Sequence, residues 1–300
     1  MTLLTGCGGG ATDTANGGTG GATDEPGATT TPSRTATQGR IATPGRIATP
    51  GGTTTPAEAG TATDTGGETV VPVYYVTDTR AGLRLAREVR EVTGDPVKGA
   101  VEAMVASPRD PDYATTWNPA TTVLDVERDG ETIVVDLSED ARTADTGSEG
   151  AALMVQQLVY TATGAAARDV PVQLLIEGEP AGELWGAVTW TGPVEAADPL
   201  DVRQLVQIDE PSDGARSVSP VAVSGDAAAF EANVPWRVLD ATGAEVASGF
   251  TTTSEGQAFA PFAFTVSLAP GAYTIEVSED DPSGGAGGVP MTDTRTLTVP

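Results

Sequence analysis

Patterned apolar sequence begins only at Val70, and that divides the chain before any motif is considered. Residues 8 to about 69 are mostly Gly, Thr, Ala and Pro, with almost no large apolar side chains. Such sequence cannot bury enough apolar surface to offset the entropy of ordering it, so it reads as a disordered tether. It contains one short repeat, Gly39-Arg40-Ile41-Ala42-Thr43-Pro44 followed by Gly45-Arg46-Ile47-Ala48-Thr49-Pro50. Six residues in two copies are too few for a supersecondary unit. As a flexible coil, roughly 60 residues span on the order of 40 Å. Folded sequence is expected from residue 70 onward.

Composition removes several classes of chemistry. The chain has no histidine, which excludes Ser-His-Asp and Cys-His nucleophilic machinery, His-ligated zinc and the usual general base near neutral pH. Cys7 is the one cysteine, so no internal disulfide forms. Lys and Arg total 16 against 42 Asp and Glu, a formal net charge of −26. Phosphate neutralisation needs Lys and Arg, so nucleic acid is not an expected partner, and neither is an anionic lipid surface. The excess lies in the folded part, at −13 over residues 70–200 and −10 over 201–300. Dispersed acids suit solubility or a salty medium.

Residues 70–192 mix strands and helices. Val70 to Thr77 is a compact apolar run that reads as a strand. Leu83 to Val92, with Leu85, Val89 and Val92 between charges, fits a strand or a helix. Asp95-Pro96 is a helix start. Val97, Ala100, Val101, Met104 and Val105 then share one helical face, and Pro108 stops it. Val123 to Glu127 and Ile133 to Leu137 flank Asp129-Gly130, a hairpin turn. A second helix is expected over 148–163, capped by Ser148 and followed by Gly164. Val170 to Glu177 returns to strand. Two helices on one face of a small sheet make an α+β sandwich.

Residues 201–300 read as all-β. Alternation runs through Phe230, Ala232, Val234, Trp236 and Val238, through Phe262, Phe264, Val266 and Leu268, and through Tyr273, Ile275 and Val277. Phe230 and Trp236 are expected in the core. About seven short strands separated by turns such as Asp240-Ala241-Thr242-Gly243 predict an immunoglobulin-like sandwich. Leu268-Ala269-Pro270-Gly271-Ala272-Tyr273 resembles a tyrosine corner.

Candidate functional residues are few. Leu4-Thr5-Gly6-Cys7 resembles a bacterial lipobox, which makes Cys7 a lipidation site and the outer face of the cell membrane the location. Only Met1-Thr2-Leu3 precedes it, less than a signal peptide needs. Either the start lies upstream or the match is accidental. Asp78 and the pair Glu88 and Glu91 are candidate acid–base carboxylates, with nothing to fix their spacing. Arg80, Arg84, Arg87 and Arg90 form the densest basic patch. It reads as a docking surface for an acidic partner or a glycan phosphate, centred on Arg84 and Arg87, or as ion pairs with Glu88, Glu91 and Asp95. Trp185 and Trp190 either stack on a sugar of a wall polymer or fill a domain edge. Glu279-Asp280-Asp281 lacks the spacing of a calcium loop. No metal or other cofactor is expected.

Beyond these residues, the two folded regions resemble known families. Val73-Tyr74-Tyr75-Val76, Arg87-Glu88-Val89-Arg90, the helix from Ala100 to Pro108, Val134-Val135-Asp136-Leu137-Ser138 and Gln157-Leu158-Val159-Tyr160-Thr161 resemble the sporulation and spore-germination domain named for the N-terminal part of the germination protein GerM. Ser107 stands where that pattern usually has Gly. Val218 to Gly225, Ala229 to Val234 and Pro261-Phe262 resemble the immunoglobulin-like domain of bacterial spore-germination proteins. The first family is similar to ring-building domains of envelope and secretion complexes, which implies protein–protein assembly and no catalytic residue. The expectation is therefore a tether over 1–69, a ring-building-type α+β domain over 70–192 and an immunoglobulin-like sandwich over 201–300. The function expected is a non-enzymatic envelope lipoprotein that assembles with envelope proteins or itself; the alternative is a wall-polymer-binding module.

Overall fold

The computed structural model describes residues 67–300 apart from 282, 284, 285 and 287. Cys7, the repeat and most of the expected tether lie outside the described residues.

The first folded half opens two residues earlier than the apolar run, at β1 (Glu68–Thr79), which pairs antiparallel along its whole length with β2 (Gly82–Thr93). The segment left open between strand and helix is therefore strand. Tyr74 and Val76 face the same way as their partners Arg87 and Leu85, so both faces of this ribbon carry apolar residues. Helix α1 (Pro96–Val105) starts as expected: Asp95 Oδ1 accepts from Val97 N and Lys98 N at 2.9 and 3.0 Å. It buries Val97, Ala100, Val101, Met104 and Val105. The expected hairpin is β3 (Val123–Asp129) and β4 (Thr132–Leu137), turning at Gly130 with φ +62°.

Helix α2 (Ser148–Ala166) is longer than its sequence signals imply. Ser148 is its first helical residue, after a Gly147 cap that makes no side-chain bond. Gly164 lies inside the helix, where a Cβ would come within 2.8 Å of Pro72 Cγ; the bare backbone lets helix and strand touch. The helix ends at left-handed Ala167. α2 also closes the free edge of β1: Tyr74 N donates to Thr161 Oγ1 at 3.1 Å, and Gln157 Nε2 donates to Tyr74 O at 2.9 Å. Two fully buried polar side chains thus replace the missing neighbour strand. β5 (Val172–Ile176) runs parallel to β4, giving the order β3-β4-β5-β6 with β6 (Glu179–Pro180). The small pair β7 (Gly182–Leu184) and β8 (Val188–Trp190) follows. The expected single sheet is thus divided among separate pairings. The β1–β2 ribbon, the four-stranded sheet and both helices share one core around Tyr75, Met104, Ile133, Leu158 and Leu174.

The connector is tied to this half. Val172 and Val194 exchange backbone hydrogen bonds at 2.8 and 2.9 Å, and Tyr160 OH donates to Ala197 O at 2.6 Å. Asp198 then caps the short helix α3 (Pro199–Val202).

The second half is the expected sandwich. β9 (Val206–Glu210), β11 (Val221–Ala227) and β14 (Ala260–Val266) form one sheet in the order β14-β11-β9. β10 (Ala215–Arg216), β12 (Asn233–Asp240), β13 (Glu245–Thr252), β15 (Gly271–Ser278) and β16 (Thr292–Val299) form the other, in the order β10-β16-β15-β12-β13. Ile208, Val223, Val238, Phe262, Ile275 and Leu297 fill the space between them. The tyrosine corner is present, with Tyr273 OH donating to Ala269 O at 3.0 Å. Two core expectations fail. Phe230 sits in a short 3-10 turn before β12 and is 42% exposed, because left-handed Glu231 and Ala232 interrupt the alternation. Trp236 is only half-buried, stacked on Phe264 with ring centroids 4.6 Å apart.

Candidate functional site

The arginines of β2 lead to the principal polar feature, a seam between the two folded halves. Arg87 points away from the α1 side of the ribbon. Its Nε and one terminal nitrogen donate to the two carboxylate oxygens of Asp209 on β9, at 2.7 and 2.6 Å. The other terminal nitrogen reaches Asp226 on β11 at 3.1 Å. Burial works against the charge on Arg87, but the Asp209 bond and the Asp226 field outweigh it and hold the guanidinium above the usual arginine range. Asp226 also accepts from buried Arg203 at 2.9 Å, and that guanidinium lies 3.8 Å from the centre of the Phe259 ring. Beside them Leu85 O accepts from Gln204 N and Gln207 Nε2, both at 2.9 Å.

A second cluster joins the loop after α1 to β16. Arg295 is 2% exposed and donates to Asp110 Oδ2 at 2.6 Å, to Asp293 Oδ1 at 2.9 Å and to Ile208 O at 2.7 Å. Tyr113 OH donates to Asp293 Oδ1 at 2.7 Å, and Ile208 N donates to Asp293 Oδ2 at 2.6 Å. Burial pushes the Asp110 carboxyl up to about 6 against the pull of Arg295, and raises Asp293 and Tyr113. Glu88 sets the loop: its Oε1 accepts from Arg109 N and Asp110 N at 2.7 and 2.8 Å, and its Oε2 from Arg90 Nε at 2.6 Å. Arg80 and Glu279 form a third bridge between the halves, with Nε donating at 2.9 Å.

These placements revise the candidate residues. The basic patch is not one surface, and its ion pairs are mostly not the neighbours expected from sequence. Arg87 is committed to the second half, and Arg90 to Glu88 and the Tyr75 hydroxyl. Arg84 donates to Leu83 O at 2.9 Å and lies on a shallow groove with Glu149, Leu153 and Val202. Glu88 is a buried structural acid, while Asp78 and Glu91 are exposed and do not join it. Trp190 is 1% exposed, so it presents no face to a sugar. Trp185 is half-buried, packed edge-on against Trp117 at 5.4 Å and donating Nε1–H to Ala141 O at 3.0 Å. Both tryptophans fill a domain edge. Glu279, read as part of a solvated turn, is 8% exposed and accepts from Met291 N at 2.9 Å.

Sequence reasoning missed Asp110, Tyr113, Arg203, Asp209, Asp226, Asp293 and Arg295. One signal was available. β16 alternates Asp293, Arg295, Leu297 and Val299 along its buried face, so two charges occupy positions that a plain sandwich strand gives to apolar residues. What the seam does chemically is hold; its charged groups are engaged with one another. Among the described residues, no cluster of three or more His, Cys, Asp or Glu is arranged to hold a metal ion, and no helix is long and apolar enough to cross a membrane.

Comparison with known proteins agrees with this division. Residues 72–182 match the family described as sporulation and spore germination, and residues 205–286 match the immunoglobulin-like domain of bacterial spore germination. Similar solved structures include the tandem GerMN domains of the sporulation protein GerM from Bacillus subtilis, at 15% identity and TM-score 0.38, covering 47% of this chain and 49% of that one. This chain thus spans about half the length of that relative. The first GerMN domain of the same protein matches at 18% identity and TM-score 0.35, covering 43% of this chain and 97% of that one. No curated protein matches the chain.

Proposed function

We propose that this chain, whose residues 72–182 and 205–286 match two spore-germination domain families, is a non-enzymatic assembly module held at the outer face of a cell membrane by a lipid on Cys7. The observation that carries this reading is the pairing of the two domains across a seam of buried charge. A buried Arg295 between two carboxylates, and Arg87 clamped to Asp209, join them into one body that offers surfaces to partners. Removing one partner of such a pair would leave the other charge buried and uncompensated, at several kcal/mol. The partners in this reading are other envelope proteins or further copies of the chain. The wall-polymer reading has less support, since Trp190 is buried and Trp185 is half-buried against Trp117.

The test is crosslinking in cells with the native upstream region, comparing the natural chain with Cys7→Ser. The natural chain should fractionate with membrane and carry crosslinked protein. The variant should appear in the medium and lose those adducts. Membrane retention of the variant refutes the anchor. A purified chain that cleaves wall polymer, or a membrane-bound chain without any protein adduct, refutes the assembly role.

A further inference from the structure

We propose that the two buried carboxylates sharing Arg295, those of Asp110 and Asp293, form a proton-binding site that latches the two halves together, tight when one proton is bound and looser when it is lost. Asp110 stands in the loop after α1, and Asp293 and Arg295 on β16, so the site is completed only where the halves meet. One terminal nitrogen of Arg295 donates to both carboxylates, at 2.6 Å to Asp110 Oδ2 and 2.9 Å to Asp293 Oδ1. Two negative charges thus face one positive charge, and all three side chains are nearly inaccessible. The surrounding charges are engaged elsewhere or add to the excess. On β2, Glu88 is met by Arg90, and Arg87 by Asp209 of β9 and Asp226 of β11. Asp213, ahead of β10, accepts from Thr296, and Asp112 from the Thr294 hydroxyl. Tyr113 faces Asp293 as a neutral donor, and Arg109 is exposed. Among the described residues, no cation besides Arg295 pairs with either carboxylate. Two carboxylates held about one guanidinium away from water do not both stay ionised readily, and they titrate as a pair.

The proton belongs on Asp110. Asp293 accepts from Tyr113 OH, Ile208 N, Thr294 N and Arg295. Asp110 accepts only from Arg295 and Asp112 N. Hydrogen bonds to the ionised form hold it ionised, so Asp293 is the ion and Asp110 the acid. Asp110, and not Asp293, also lines a cavity of about 10 Å³, room for roughly one water, whose wall includes exposed Arg109. That gives the proton a way in and out. Burial raises both carboxyls, and Asp110 stands at about 6. A carboxyl raised on folding is penalised when ionised, so the site contributes fully below the ordinary 3.8 and its contribution is lost as pH rises through about 6. From about pH 7.5 to about pH 5, this one group should raise the ratio of folded to unfolded chain about tenfold. The latch acts on the two-domain body itself, whatever partner that body meets.

The experiment titrates the side-chain carboxyls of the full chain by carbon NMR, beside Asp110→Asn, which keeps the shape and stays neutral. One carboxyl should titrate near pH 6 in the natural chain and be missing from the variant. Hydrogen exchange reads the latch. Protection of Ile208 N–H, which donates to Asp293, and of Gln204 N–H, which donates to Leu85 O across the seam, is corrected for the intrinsic effect of pH. It should rise about tenfold from about pH 7.5 to about pH 5 in the natural chain and stay level in Asp110→Asn. A natural chain in which no carboxyl titrates above about pH 5 overturns the proposal. So does seam protection that is flat with pH, or that changes as much in the variant. Should Asp110→Asn fail to fold, urea unfolding of the natural chain decides: a folded-to-unfolded ratio that does not rise about tenfold over the same range refutes the site.

Discussion

Replacing Arg295 with Met tests the seam most directly, because the substitution keeps an unbranched side chain and removes only the charge. In the natural chain Arg295 lies between Asp110 and Asp293 at 2.6 and 2.9 Å, with all three side chains nearly inaccessible. Removing one partner of a buried pair costs about 3–5 kcal/mol, since the remaining charge has neither water nor a counter-ion. Part of that loss is recoverable with acid. The Asp110 carboxyl already stands at about 6, above its ordinary 3.8, because burial disfavours its charge. Each unit of such a shift corresponds to about 1.4 kcal/mol. A carboxyl raised on folding is penalised when ionised: the penalty is absent below its unfolded value and complete above its folded one. Arg295 opposes the rise, so its loss moves Asp110 higher still. Between about pH 7.5 and pH 5 the variant therefore takes up a proton on folding that the natural chain takes up less completely, and its deficit should shrink, by up to about 2 kcal/mol. Urea denaturation followed by tryptophan fluorescence reads this in both halves, through Trp117 and Trp190 in one and Trp236 in the other. A deficit below about 1 kcal/mol, or one equal at both pH values, would mean that the cluster is hydrated and the electrostatic reasoning is wrong.

Other perturbations follow from the packing. Gly225→Ala places a Cβ 1.8 Å from Gln207 O, which is backbone and cannot turn aside; β9 should part from β11, at the upper end of about 1–3 kcal/mol or beyond, read as a fall in Tm. Tyr273→Phe removes the bond to Ala269 O and should lower stability by about 0.5–1.5 kcal/mol in the same measurement. Trp236→Ala should cost about 2–3 kcal/mol, less than a fully buried tryptophan, because only the stack on Phe264 and the contact with Gly249 are lost. Arg87→Glu brings a third carboxylate against Asp209 and Asp226, so it should destabilise the whole chain rather than merely weaken a surface contact; native-like urea unfolding of that variant would contradict its placement.

Local chemistry carried the elements well. Asp95-Pro96 announced α1 because a carboxylate cap and a proline act through immediate neighbours, and Asp129-Gly130 marked its hairpin for the same reason. Tyr273 was identifiable because its hydroxyl bonds four residues back. The errors arose where distant chain decides. Gly164 reads as a helix end, yet Pro72 needs that bare backbone within the helix. Phe230 keeps the alternation, yet two left-handed residues turn it outward. The seam was the least legible: Arg87 is followed closely in sequence by Glu88 and Glu91, yet its actual partners lie 122 and 139 residues away. Nothing in a local pattern specifies such a pairing, although charges on the buried face of β16 hinted that something opposite must neutralise them.

The buried Arg295 cluster also sets a schedule. Asp110 and Arg295 are 185 residues apart. At about 5–20 residues per second, a ribosome reaches Arg295 roughly 10–40 s after Asp110. Through that interval Glu88 and the backbone pairing of Val76 with Ala114 hold the loop after α1, while the groups that will neutralise Asp110 do not yet exist. The first domain must therefore persist half-finished, its acidic loop in water, before the strand that completes it is made.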